Sequence, residues 1–206
     1  MKSEVSNTDT YPVMEHFYTL QGEGHHSGKA AYFIRLGGCD VGCVWCDVKD
    51  SWDASKHPVL HTNEIAQAAA EQPCNLAVIT GGEPAMYDLS DLCNGLHDKK
   101  FKTHIETSGA YPIQGDLDWI TVSPKKFKKP LDETLKLADE LKVVIFNTSD
   151  FEWAETHAVK VSEHCLLYLQ PEWSKKEKII PEIIAYIEQH PKWQLSLQLH
   201  KYINIP

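Results

Sequence analysis

Short apolar runs alternate with amphipathic ones from residue 31 to the C-terminus, and this alternation constrains the fold more than any other feature of the chain. Ala31-Tyr-Phe-Ile-Arg-Leu36, Leu76-Ala-Val-Ile-Thr80, Lys102-Thr-His-Ile-Glu106, Trp119-Ile-Thr-Val122, Lys142-Val-Val-Ile-Phe146, Leu166-Leu-Tyr-Leu-Gln170 and residues 193–199 read as strands. Between them, residues 62–71, 88–99, 131–140, 151–161 and 175–190 read as helices. Thr62 is a suitable N-cap for the first, and Pro181 predicts a late start for the last. Continuous apolar strands separated by helices specify an α/β fold with a mainly parallel sheet. The 206 residues suffice for a single domain, expected over residues 11–206 behind a loose polar tail at 1–10.

Composition narrows the function. A net charge of −9 argues against a nucleic-acid partner. No stretch approaches 18 apolar residues and the N-terminus lacks an apolar export segment, so no membrane partner is expected and a cytoplasmic location is. Lys125, Lys126, Lys128 and Lys129 crowd around Phe127, either as a solvated loop or as a site for an anionic group. Arg35 is the sole arginine, on an apolar strand.

The strand ends are chemically unusual. They run into Cys39, into Thr80-Gly-Gly-Glu-Pro84, into Glu106-Thr-Ser-Gly109, into Ser123-Pro-Lys125, into Gln170-Pro171 and into Gln198-Leu-His200. The C-terminal edge of a parallel sheet or barrel holds the active site, so these segments are expected to converge on one cavity.

Three of the six cysteines, Cys39, Cys43 and Cys46, form a C-x3-C-x2-C loop. Without an export signal a disulfide framework is not expected. Three thiolates on a short loop suit an iron–sulfur cluster with one open iron. A zinc site completed by His25, His26 or His57, and a Cys43/Cys46 redox dithiol, are the alternatives. Cys74, Cys93 and Cys165 are scattered and read as small core or partly buried residues.

C-x3-C-x2-C followed by Gly81-Gly-Glu83 at the next strand end resembles the radical S-adenosylmethionine (SAM) superfamily. Leu20-Gln-Gly-Glu-Gly24, Phe33-Ile-Arg-Leu36, Ile105-Glu-Thr-Ser-Gly109, Val122-Ser-Pro-Lys125 and His200-Lys-Tyr-Ile-Asn-Ile-Pro206 narrow the resemblance to the 7-carboxy-7-deazaguanine synthase family. That resemblance implies a partial, trimmed parallel β/α barrel and a homodimer. It implies a lyase that turns 6-carboxy-5,6,7,8-tetrahydropterin into 7-carboxy-7-deazaguanine with ring contraction and loss of ammonia, in queuosine biosynthesis. A 4Fe–4S cluster on the three cysteines would reduce SAM, and the resulting radical would take a hydrogen from C6 of the pterin. A flavodoxin or ferredoxin would supply the electron. Another small radical SAM protein of the glycyl-radical activase type, or a family member kept as an interaction protein, are the alternatives.

By the same resemblance, Leu20, Gln21, Gly22, Glu23, Arg35, Thr80, His200 and Pro206 bind the pterin. Glu23 would accept from its N–H edge, and Arg35 would grip its carboxylate with a fork no lysine can copy. Trp45, Gly81, Gly82, Glu83, Glu106, Ser108, Ser123, Pro124, Lys125 and Gln170 would face SAM. The family also implies Mg²⁺ near the substrate carboxylate, bound by a threonine. Here the segment is Cys46-Asp47-Val48, and valine offers no oxygen. Either Asp47, Asp50 or Ser51 substitutes, or substrate and water alone hold the ion, or the dependence is weaker; Mg²⁺ stimulation is expected to be reduced or absent.

Overall fold

The computed structural model describes residues 9–44 and 46–206. Its nine strands are β1 (Thr10–Leu20), β2 (Ala30–Leu36), β3 (Val59–His61), β4 (Leu76–Gly81), β5 (Lys102–Thr107), β6 (Trp119–Val122), β7 (Glu140–Ile145), β8 (Leu166–Pro171) and β9 (Trp193–Leu195). They form one sheet in the order β3-β1-β2-β4-β5-β6-β7-β8-β9. The β1 strand is antiparallel to both neighbours, and every pairing from β2 to β9 is parallel. The ends of the sheet, β3 and β9, do not pair, so the barrel is partial.

Among the described residues are six α-helices: α1 (Thr62–Ala70), α2 (Ser90–Asp98), α3 (Asp132–Leu137), α4 (Ser149–Ala158), α5 (Lys176–Gln189) and α6 (Leu199–Ile203). Ile65, Ala66, Ala69, Leu92, Cys93 and Leu96 bury the inner faces of α1 and α2 against Ile34, Ile79 and Ile105. Leu135, Ala154, Ile179 and Ile183 do the same for α3, α4 and α5 against Leu141, Val143 and Leu169. Burying each large side chain stabilises the fold by roughly 1.5–3 kcal/mol. These two apolar layers leave the opposite face of the parallel strands to the polar residues of the site.

The sequence expectations need five corrections. The β1 strand and the short β3 were not anticipated. The first helix is capped at His61, whose N–H donates to Glu64 (2.8 Å), and Thr62 is already helical. The third helix ends at Leu137, because Glu140 belongs to β7. The fifth begins at Lys176, with Pro181 inside it. Proline removes one backbone donor there, and burial of Ile179 and Ile183 on either side holds the helix together. The last strand stops at Leu195, and residues from Leu199 form α6. Of the tail expected at 1–10, residues 1–8 lie outside the described residues, and Thr10 opens β1. Cys93 and Cys165 are buried, Cys74 is half-buried, and all six cysteines are free. No helix among the described residues is long and apolar enough to cross a membrane.

Candidate active site

A cavity of about 370 Å³ opens at the C-terminal ends of the parallel strands. It gathers segments far apart in sequence: the loop after β1, the cysteine loop after β2, the turns after β4, β5, β6 and β8, and Gln198, His200, Lys201 and Pro206 near the C-terminus.

The cysteine loop follows β2 and lies directly against the turn after β4. Gly82 donates its N–H to Leu36 O (2.9 Å) and Glu83 to Gly38 O (2.8 Å). A Cβ on Gly82 would stand 2.1 Å from Gly38 O, so only glycine permits this approach. Gly38 and Gly42 turn the loop with φ of 101° and 74°. All three of Cys39, Cys43 and Cys46 line the cavity. Burial raises the Cys39 thiol and pushes that of Cys43 up to about 11, so a bound metal is what would draw off their protons.

Glu83 is buried and its carboxylate is fully engaged. Oε1 accepts from Thr107 Oγ1 (2.5 Å) and Ala85 N (3.1 Å), and Oε2 accepts from Ser108 N (2.8 Å) and from Ser108 Oγ. It thereby clamps the turn after β4 to the turn after β5. Glu106 accepts from Gln21 Nε2 (3.0 Å) and from Thr80 Oγ1 (3.4 Å). Lys125, whose ammonium is lowered by burial, donates to Ser123 O (2.8 Å) and Oγ (2.6 Å).

On the other wall, Arg35 donates its Nε to Glu15 (2.7 Å), which fixes the guanidinium plane. Glu23 accepts from Lys142 Nζ (2.5 Å) and from Gln198 Nε2 (2.9 Å). Leu199 N donates to Gly22 O (2.8 Å), and a Cβ on Gly22 would fall 2.3 Å from His200 Nδ1. Gly22 is therefore what lets the C-terminal segment close on the loop after β1. Burial lowers the His200 imidazole, which keeps it neutral near pH 7. Pro206 reaches the cavity beside Thr19, which donates to its O (3.5 Å).

The cavity thus brings together Leu20, Gln21, Gly22, Glu23, Arg35, the three cysteines, Asp47, Thr80, Gly81, Gly82, Glu83, Glu106, Ser108, Ser123, Lys125, Gln170, His200 and Pro206. Pro124 is buried but does not line it, and Trp45 lies outside the described residues. Gln198, at the last of the unusual strand ends, lines it as expected, whereas sequence reasoning missed Lys142, Lys201 and Trp173, all of which line the cavity. The signal for Lys142 was a charged pair, Glu140 and Lys142, alternating into an otherwise apolar strand.

This partial barrel, with its three thiols beside a glycine-rich strand end, defines a radical SAM protein, and the family model described as the Radical SAM superfamily matches residues 33–149. The 7-carboxy-7-deazaguanine synthase of Flavobacterium psychrophilum is 52% identical over 202 residues, covering 98% of this chain and 96% of that one. The protein of that name from Escherichia coli (strain K12) is 33% identical, covering 95% and 99%. The crystal structure of QueE from Escherichia coli superposes with a TM-score of 0.85 at 31% identity, over 93% of this chain and 95% of that one. The chain belongs to the 7-carboxy-7-deazaguanine synthase family.

Membership implies a 4Fe–4S cluster and SAM, and the donors present fit them. Among the described residues no group of three His, Cys, Asp or Glu side chains converges on a single-ion site. A cubane takes its thiolates at separate corners, so three cysteines spaced around one cavity wall suit it. Mg²⁺ does not fit in the same way. Asp47 is paired with Lys201 Nζ (2.7 Å), Ser51 spends its hydroxyl on Val48 O (2.6 Å), and neither Asp50 nor Ser51 lines the cavity.

Proposed function

We propose that this chain converts 6-carboxy-5,6,7,8-tetrahydropterin to 7-carboxy-7-deazaguanine with loss of ammonia. The observation that carries this reading is that Glu23, Arg35 and the chain's last residues share one cavity with the three cysteines. When bound, the cluster and SAM together supply a 5′-deoxyadenosyl radical, with the electron delivered by a flavodoxin- or ferredoxin-type protein.

The chain's own residues bind and orient. With Nε held by Glu15, the terminal amino groups of Arg35 are left to take a substrate carboxylate in two parallel hydrogen bonds. Glu23, ionised, accepts from the pterin amino and ring N–H groups. Gln198 holds one Glu23 oxygen in place, and Gln21 holds Glu106. Thr80, between them, faces the substrate. The residues from Leu199 to Pro206 cover the pterin and exclude water. Gly81 and Gly82 bring backbone close to the SAM amino acid, and Ser108, Ser123, Lys125 and Gln170 line the rest of its site.

The test is anaerobic. Protein reconstituted with iron and sulfide is mixed with the pterin, SAM and dithionite, and the products are separated by chromatography. The reading requires 5′-deoxyadenosine and a deazaguanine carboxylate in the parent, and loss of the latter in Arg35→Lys. SAM cleavage without a deazaguanine product would overturn it.

A further inference from the structure

Lys142 lies on β7 in alternation with Glu140 and Val144, so the three share the face turned toward the site. It is 4% exposed, and apart from Lys142 and Glu140 the strand is apolar. A lysine is kept in such a place only when its charge is compensated. Its Nζ donates to Glu23 Oε2 at 2.5 Å and reaches Glu106 Oε1 at 3.5 Å. Without it, two carboxylates would face each other in a cavity half shielded from water, and one would take up a proton. Protonation turns one Glu23 oxygen into a donor, so the carboxyl can no longer accept a pair of N–H groups through both oxygens.

We propose that Lys142 is the positioning residue that keeps Glu23 ionised and aimed at the N–H edge of the pterin. This rests on the function proposed above. Burial disfavours both charges, yet their mutual attraction prevails: the Glu23 carboxyl lies below its usual range and the Lys142 ammonium above. The other titratable groups facing the pair are Glu106, Glu140, His200, Lys125 and His104. Glu140, its carboxyl raised by burial and accepting from His25 N (3.0 Å), competes least for the ammonium. Glu23 and Glu106 thus share the one Lys142 ammonium, and their carboxylate oxygens line the cavity as acceptors suited to a ligand edge made of donors.

The experiment is binding of 6-carboxypterin, the oxidised form of the proposed substrate, to the cluster-containing protein with SAM present. Lys142→Met is expected to hold its irons and bind SAM as the parent does, and to lose about a hundredfold in pterin affinity. Its binding should also fall as pH drops through neutrality, because Glu23 then takes up a proton, whereas the parent's should not follow that limb. Lys142→Arg, which keeps the charge, is expected to restore pH-independent binding. Glu23→Gln and the double variant Glu23→Gln/Lys142→Met should bind equally weakly. That comparison stands where Lys142→Met alone fails to fold, since the double variant removes both charges of the pair. Parent-like affinity in Lys142→Met, or a double variant much weaker than Glu23→Gln, overturns the proposal. A parent that binds SAM but no pterin overturns the proposed function instead.

Discussion

The ammonium of Lys201 lies 2.7 Å from the carboxylate of Asp47, tying α6 to the residue that follows the third cysteine. The lysine is 21% and the aspartate 59% exposed, so the pair adds at most about 1 kcal/mol to stability. Its effect falls on the lid. Trp173 packs edge-on against Tyr202 at 5.2 Å, and with the ion pair it holds the last residues over the cavity. Lys201→Met is expected to shift the melting temperature by less than about 4 °C. It should raise KM for the pterin severalfold and speed removal of C-terminal residues by carboxypeptidase. Parent-like KM and digestion together would dismiss the latch.

Val48 removes the one side-chain oxygen that the family resemblance implies for Mg²⁺, and Lys201 already neutralises Asp47. Turnover is therefore expected to be the same with Mg²⁺ and after chelation. Val48→Thr returns a hydroxyl beside the cavity and is expected to gain a Mg²⁺ response. Steady-state rates at fixed ionic strength decide the matter, and a steep Mg²⁺ dependence in the parent would contradict the reading.

Gly82 has no room for a side chain: its Cβ would meet Gly38 O at 2.1 Å and Cys39 Cβ at 3.1 Å. Gly82→Ala is expected to push the cysteine loop away and to drop the iron content well below the roughly four per subunit that a cubane requires. Gly28→Ala is the control. Gly28 has a φ of 84° but open space around it, so alanine there strains the backbone and leaves the irons in place. Iron and sulfide analysis after anaerobic reconstitution separates the two, and equal iron loss in both would refute the steric argument.

Much of this site was legible because its chemistry sits in contiguous motifs at strand ends. Period and length identify a strand, and the residues at its C-terminal end are then candidates, as with Thr80, Glu106 and Ser123. The roles of Glu83 and Lys142 were not legible in that way. Glu83 belongs to a cofactor motif, yet its carboxylate is consumed by Thr107, Ser108 and Ala85, which only the meeting of two turns reveals. Lys142 is polar inside an apolar run, and its partner Glu23 lies 119 residues away. The β1 strand was overlooked because its polar positions, such as Glu15 and His16, hide a strand that is antiparallel to both its neighbours. Helix ends were least legible, since burial of Ile179 and Ile183 outweighed the proline between them.

At the opposite end of the polar face, His104 stacks edge-on to His26 at 5.3 Å. Its Nε2 pairs with Thr121 Oγ1 (2.8 Å), and its Nδ1 has no partner among the described residues. Burial is the main cause that lowers His104 well below its usual range, with the nearby His26 and Lys142 adding to it; His26 is lowered to about 4, again mainly by burial. In the unfolded chain both titrate near 6.5, so the unfolded state binds protons that the folded state refuses as pH falls. Stability is therefore full above about pH 7 and declines below it, by up to ~1.4 kcal/mol per pH unit for a histidine as buried as His104. Urea unfolding of the cluster-containing protein between pH 7.5 and 5 should show that decline. His104→Leu, which cannot be protonated, should flatten it while His26, His157 and His200 retain a residual slope. A variant with the parent's slope would mean that acid acts through groups other than His104.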